Sequence, residues 1–189
     1  MRLAEIAPGL GSGLLELGLI LLLVFWALGA YNRLMRLRNA LGTAWTQIDE
    51  LLLRRAGALE LLELAARDTL ADESTSLQAL RQAQDKQRLA ALALRVRPSA
   101  PQLLAAWAGA ELELSSPMAR LHALIEQHPE LAANQAVRAP RLQLAELATR
   151  IGYARQAYSA AADAYNRALT ELPTRLLTRL FGFTPSGRL

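Results

Sequence analysis

Apolar and polar positions divide the chain at about Tyr31. From Leu10 to Ala30 the stretch "LGSGLLELGLILLLVFWALGA" carries a single charge, Glu16. A helix of this length covers ~31 Å, close to the ~30 Å hydrocarbon core of a bilayer. Beyond it the pattern becomes periodic. Leu34, Leu37, Leu41, Trp45, Ile48 and Leu52 recur at spacings of three and four, and Leu59 and Leu62 extend the series. That is one apolar stripe on a helix, close to a heptad seam. Arg36, Asn39, Gln47 and Arg54 fall between those positions, facing water. No helix stop separates the two patterns, so one helix is expected from about Leu14 to about Ala66, lipid-facing first and core-facing afterwards.

The rest of the chain reads as further helices. "DTLADESTS" (68–76) is a polar gap with several N-cap candidates. A second helix, about Ser76 to Val96, has Leu77, Leu80, Gln84, Gln87, Ala91 and Leu94 on its inner face, polar in the middle. "RPSAP" (97–101) is a loop signal. A third helix, about Pro101 to Gln127, is expected to kink or break at Pro117, which follows Ser115 and Ser116. "QHPELAANQAVRAP" (127–140) is expected to be a connection with at most a short turn, and Pro140 suits the first turn of a fourth helix. There Leu144, Leu147, Ile151, Ala154, Tyr158, Ala161, Tyr165, Ala168 and Leu172 alternate spacings of three and four until Pro173. "TRLLTRLFGF" (174–183) predicts a short amphipathic segment, either on the membrane surface or folded back as a lid. Leu176, Leu177, Leu180, Phe181 and Phe183 are its candidate contacts, and "TPSGRL" (184–189) is expected to fray.

The predicted class is all-α: a transmembrane helix continuous with an antiparallel four-helix bundle. Residues 1–9 form a tail, 10–30 the span, 31–183 the bundle and 184–189 a second tail. Composition supports helix, because Ala and Leu dominate while aromatic and β-branched residues are few. The chain lacks cysteine, which excludes disulfides, thiolate metal sites and a cysteine nucleophile. Net charge is +4, with Lys86 the one lysine among 21 basic residues. Arg33, Arg36 and Arg38 follow the span at once, whereas Arg2 before it is offset by Glu5. The positive-inside rule then puts the bundle in the cytoplasm and the N-terminus outside, with Trp26 and Tyr31 near the interface. The competing reading is a signal peptide cleaved at "ALGA"; the long apolar run and the arginines after it favour an anchor. Glu16 is expected near the outer interface.

The same three arginines make an anionic leaflet the expected lipid partner. The remaining basic residues are mixed with acids and form no face with interleaved aromatics, so nucleic acid is not expected. His122 and His128 are six positions apart, about 120° out of line on a helix, and make poor co-ligands. No phosphate loop and no Gly-x-Ser-x-Gly element occurs. Glu60, Glu63, Asp68, Asp72 and Glu73 read as solvated faces and caps. No cofactor, metal or catalytic residue is assigned. The most distinctive local cluster is Trp45, Gln47, Ile48, Asp49, Arg54 and Arg55. It reads as a hydrogen-bonded brace from the first helix to the last, with Asn39 and Tyr165, or as a surface for a partner.

Two stretches together resemble the LemA family of bacterial membrane proteins. One is "YNRLMRLRNALGTAWTQIDELLLRRAGAL", with Tyr31-Asn32, Leu37-Arg38-Asn39, Ala44-Trp45, Gln47-Ile48-Asp49 and Arg54-Arg55. The other runs from "HPELAANQ" through "LQLAELATRIGYARQAYSAAADAYNRAL" to "LPTRLLTRLFGF" and includes Tyr165-Asn166. The chain departs from the family pattern at Gly57, Glu60 and Leu61, and at Tyr158-Ser159. The resemblance implies a membrane-anchored cytoplasmic helical bundle in the bacterial inner membrane, with no agreed biochemical activity. The expected function is a non-enzymatic scaffold or adaptor that recruits a protein partner or self-assembles. The alternative is an accessory or regulatory subunit of a membrane enzyme such as a protease or phosphatase. Leu103, Leu104 and Trp107 are further candidate partner contacts.

Overall fold

The computed structural model describes residues 7–172 and 174–189; the side chains of residues 7–12, 14, 176, 177, 179 and 180 lie outside that description. So do residues 1–6 of the expected N-terminal tail (1–9) and Pro173, the expected helix terminator, while residues 7–9 of that tail belong to the first helix. Helix α1 runs without interruption from Ala7 to Ala66. Its 60 residues make a rod of roughly 90 Å. A 3-10 turn (Ala71–Glu73) leads to α2 (Ser74–Val96), followed by α3 (Pro101–Gln127), the short α4 (Pro129–Ala133), α5 (Gln135–Thr170) and α6 (Thr174–Phe181). Among the described residues there is no strand.

The two halves of α1 meet different surroundings. The large apolar side chains from Leu15 to Leu28 stand exposed, Leu15 at 78% and Trp26 at 48%. Burial begins at Ala30 and Leu34. The stretch above Ala30 is thus long and apolar enough to cross a membrane. Below it, Leu34, Leu41, Trp45, Ile48 and Leu52 pack with Ile151, Tyr158, Ala162, Tyr165, Ala168 and Leu169 of α5 and with Leu94, Leu104 and Trp107 of α2 and α3. Farther along, Ala58, Leu59, Leu62 and Ala66 pack with Val137, Leu144 and Leu147 of α5 and with Leu77, Leu80, Leu114, Leu121 and Leu124. The early part of α1 meets the late part of α5, so the two run antiparallel. The tight turn at 97–100 folds α2 and α3 into a second antiparallel pair against them.

Four local expectations change. Helix α3 continues through Pro117. Leu114 on one side and Leu121, Leu124 and Ile125 on the other share one core, and their burial outweighs one lost helix hydrogen bond. Helix α5 begins at Gln135, five residues before Pro140, because the Asn134 side chain accepts from the Ala136 amide at 2.9 Å and caps the first turn. Segment 184–189 is not frayed but docked, as described next. Leu172, expected on the inner face of the last helix, lies beyond α5 and is exposed.

Candidate functional sites

Two places in the fold hold concentrated polar chemistry, and both flank α1 or its partner α5. The first is a groove between α1 and α2 enclosing about 470 Å³, lined among others by Asp49, Glu63, Gln84, Gln87, Arg88 and Leu92. Its floor is polar because the inner face of α2 is polar where the sequence has Gln84 and Gln87. Glu63, expected to be solvated, is buried. It accepts hydrogen bonds from Arg81 Nε at 2.9 Å and Gln84 Nε2 at 3.0 Å, so its charge stays compensated. Gln87 is 7% exposed, and its Nε2 is buried with no hydrogen-bond partner. A buried amide donor left unpaired costs about 1–3 kcal/mol.

The brace expected between the first and last helices runs elsewhere. Asp49 accepts from Arg95 of α2 at 2.8 Å. Arg55 forms a two-pronged pair with Glu111 of α3, at 2.9 and 2.5 Å, both side chains nearly buried. Arginine's planar fork matches a carboxylate in this way, where a lysine offers one point charge. Trp45 meets Trp107 edge-to-face at 5.3 Å, and the Arg155 guanidinium lies 5.4 Å over the Trp107 ring. Trp107 and Leu104 are core residues and therefore unavailable to a partner; Leu103 packs half-buried against the same core. Asn32, Arg36, Arg38, Asn39, Gln47 and Arg54 are exposed. Arg33, just past the apolar span of α1, pairs at 2.8 Å with Glu171 at the end of α5.

The second place is built by α5. After Phe181 the chain turns at Gly182, whose φ of +65° lies in the left-handed region that glycine adopts without strain. Phe181 and Phe183 then set their rings 5.4 and 6.2 Å from Tyr31, at the level where α1 leaves the core. Segment 184–189 runs without helix along α5. Asn166 clamps the Ser186 backbone from both sides: its Nδ2 donates to Ser186 O at 2.9 Å and its Oδ1 accepts from Ser186 N at 2.8 Å. Tyr165 donates to Thr184 O at 3.3 Å. Tyr158 donates to Pro98 O at 2.5 Å, and its hydroxyl also lies 3.1 Å from Ser186 Oγ. Ser159 Oγ donates to Leu189 O and accepts from Leu189 N, at 2.8 and 3.1 Å. Arg188 pairs with Asp163 at 2.5 Å. Burial raises the hydroxyl pKa of Tyr158 and Tyr165 above the ordinary phenol value, keeping both protonated as donors.

Tyr165 therefore answers the tail, whereas Asn39 was its expected partner. The sequence held a signal for this: a row of hydrogen-bonding side chains (Tyr158, Ser159, Asp163, Tyr165, Asn166) on an otherwise alanine-rich helix. No signal on the tail itself marked it as the occupant. The side chains of Leu176, Leu177 and Leu180 lie outside the described residues. Thr174 is buried and donates to Glu171 O at 2.8 Å and to Ala168 O, which ties the start of α6 to the end of α5.

His122 is half-buried, and desolvation, assisted by Arg141, lowers its pKa. His128 Nδ1 donates to Leu124 O at 2.8 Å. Among the described residues no three His, Asp or Glu side chains gather as a metal ion needs.

No curated protein matches the chain. Residues 44–188, however, match the sequence model of the LemA family, a stretch that takes in α2, α3, α5 and the docked tail as far as Arg188. With most of its length so matched, the chain belongs to the LemA family.

Proposed function

We propose that this LemA-family chain is a non-enzymatic, membrane-anchored scaffold or adaptor whose helical region recruits a protein partner through the α1–α2 groove. The observation that carries the reading is the joining of two features on one helix. The apolar span and the groove wall both belong to α1, with no break between them. Residues 49–63 of α1 thereby stand roughly 30–50 Å from Ala30 along a rigid axis. A groove at that height presents a partner at a fixed distance from the bilayer. Along it Arg88 and Leu92 stand exposed, a cation and an apolar side chain that a bound partner can meet.

In this reading the membrane is the bacterial inner membrane, with the N-terminus outside and the helical region in the cytoplasm. Support comes from the arginines at the exit, which the positive-inside rule keeps on the cytoplasmic face. Arg36 and Arg38 face an anionic leaflet, while Arg33 is shared with Glu171. Phe181, more than half exposed beside Tyr31, lies at the same level and meets the interface with it.

The test is site-specific photo-crosslinking in cells expressing the full chain. The probe replaces Leu92 in the groove or, as control, exposed Tyr153 on α5. The reading expects a discrete heterologous adduct from position 92, absent from 153 and lost on Arg88→Glu. Identical adduct ladders from both positions, or none from 92, would sink it. A stoichiometric membrane enzyme in the adduct would turn the adaptor into an accessory subunit.

A further inference from the structure

The docking of residues 183–189 has the form of peptide recognition. Every tail backbone contact named above is made by side chains of α5, through Tyr165, Asn166 and Ser159. Such contacts read an extended backbone, as a groove does for a separate peptide. Selectivity comes from shape and charge at three positions. A Cβ on Gly187 would lie 3.0 Å from Leu104 Cδ1 and 3.3 Å from Pro101 Cα, so the groove admits glycine there. Arg188 meets Asp163, and Leu189 packs against the core.

We propose that this groove is a peptide site that also takes the same segment from a second copy of the chain, so that neighbouring copies exchange tails. Three observations support a trans occupant. Phe183 stays with the connection, beside Phe181 and Tyr31, but the named contacts of residues 184–189 lie on α5 and α3, so their geometry does not depend on the connection. The pivot is a glycine in the left-handed region, free to adopt other conformations. The acceptor side chains on α5 lie opposite the early part of α1, near the membrane exit, so anchored copies carry groove and tail at one height. Confinement to a plane raises their effective concentration. An exchanged tail makes the same contacts as a folded-back one, which keeps the energetic cost of a twofold swap low. The shared plane rests on the anchored reading above; the groove's chemistry does not.

The absence of cysteine allows a clean test. One full-length chain carries Gly187→Leu to eject its tail and Asp163→Cys in a groove that keeps Ser159, Tyr165 and Asn166. A second carries Asn166→Leu to break its groove and Arg188→Cys on a tail that keeps Gly187, so the cysteine pair stands in place of the ion pair. Both are reconstituted into vesicles and treated with a short bis-maleimide. Exchange predicts a crosslinked heterodimer on the order of tenfold above either chain alone, competed away by excess synthetic FTPSGRL peptide. A chain bearing Asp163→Cys and Arg188→Cys together controls for folded-back docking. If that control crosslinks within itself while the mixture stays monomeric, exchange is overturned and the anchored scaffold stands. Homodimers in each separate sample at the heterodimer's level overturn it too. Should Gly187→Leu reduce helicity, Ser186→Pro ejects the tail instead by removing the amide that Asn166 Oδ1 accepts. A protein that washes off the vesicles breaks the anchor reading without touching the groove.

Discussion

Helix α1 has two neighbours of opposite character. Against α5 it presents Leu34, Leu41, Trp45 and Ile48 to Ile151, Tyr158, Ala162 and Tyr165, a continuous apolar contact. Against α2 it presents Asp49, Glu60 and Glu63 to Arg81, Gln84, Gln87 and Arg95, with a groove left between. Apolar burial is non-directional and tolerates only close packing. Charged and amide groups need specific partners, and where the partners run short the helices stand apart. The same helix thus holds the fold together on one face and leaves an open groove on the other.

That contrast can be broken most severely from the apolar side. Trp107→Ala removes a fully buried ring together with its edge-to-face partner and its guanidinium contact. A loss of about 3–5 kcal/mol is expected, seen as a fall of roughly 10 °C or more in Tm. A smaller loss would mean the seam is not what holds the helices. Next is the Arg55–Glu111 pair, nearly buried at 11% and 13% exposure. Glu111→Leu alone strands the guanidinium and should cost about 3 kcal/mol in denaturant melts, while Arg55→Leu with Glu111→Leu should restore most of it. Additive losses would contradict a coupled pair.

The groove should respond in the opposite sense. Gln87→Leu removes a buried donor without a partner and should leave stability unchanged or raise it by up to about 1 kcal/mol. A large destabilisation would make Gln87 a structural residue. The exposed Lys86–Glu113 pair, by contrast, should be worth no more than about 0.5 kcal/mol, and 1 M salt should erase it.

The smallest effect concerns pH. His122 binds its proton less readily folded than unfolded. Above its ordinary pKa near 6.5 it is neutral in both states and contributes nothing. As pH falls through 6.5 the unfolded chain takes up the proton first, and stability declines until the folded-state pKa is passed. A shallow loss of Tm between neutral pH and acid, flattened by His122→Gln, is the expected outcome; an unchanged slope in the variant would assign it to other groups.

Much of this protein was legible in the order of its residues. The span, the continuity of α1 and the inner positions of α5 follow from local periodicity, since a helix reports its buried face every three or four residues. The polar face of α2 was visible too, at Gln84 and Gln87, though its meaning as a groove floor was not. The solvated assignment of Glu63 failed because it weighed the residue without Arg81 and Gln84, which lie on another helix. The fraying of 184–189 failed for a related reason. A short polar segment has no period to read, and its order comes from Asn166, Ser159 and Tyr165.

Residue order by itself therefore determined the helices, the membrane-length apolar stretch and the identity of the core, all properties that adjacent turns establish among themselves. Tertiary structure alone decided which partner each charged or amide group took: Arg55 with Glu111, Asp49 with Arg95, Asn166 with Ser186. Those choices depend on distance and direction between elements far apart in the chain, because a hydrogen bond rewards only one geometry, whereas burial rewards any close one.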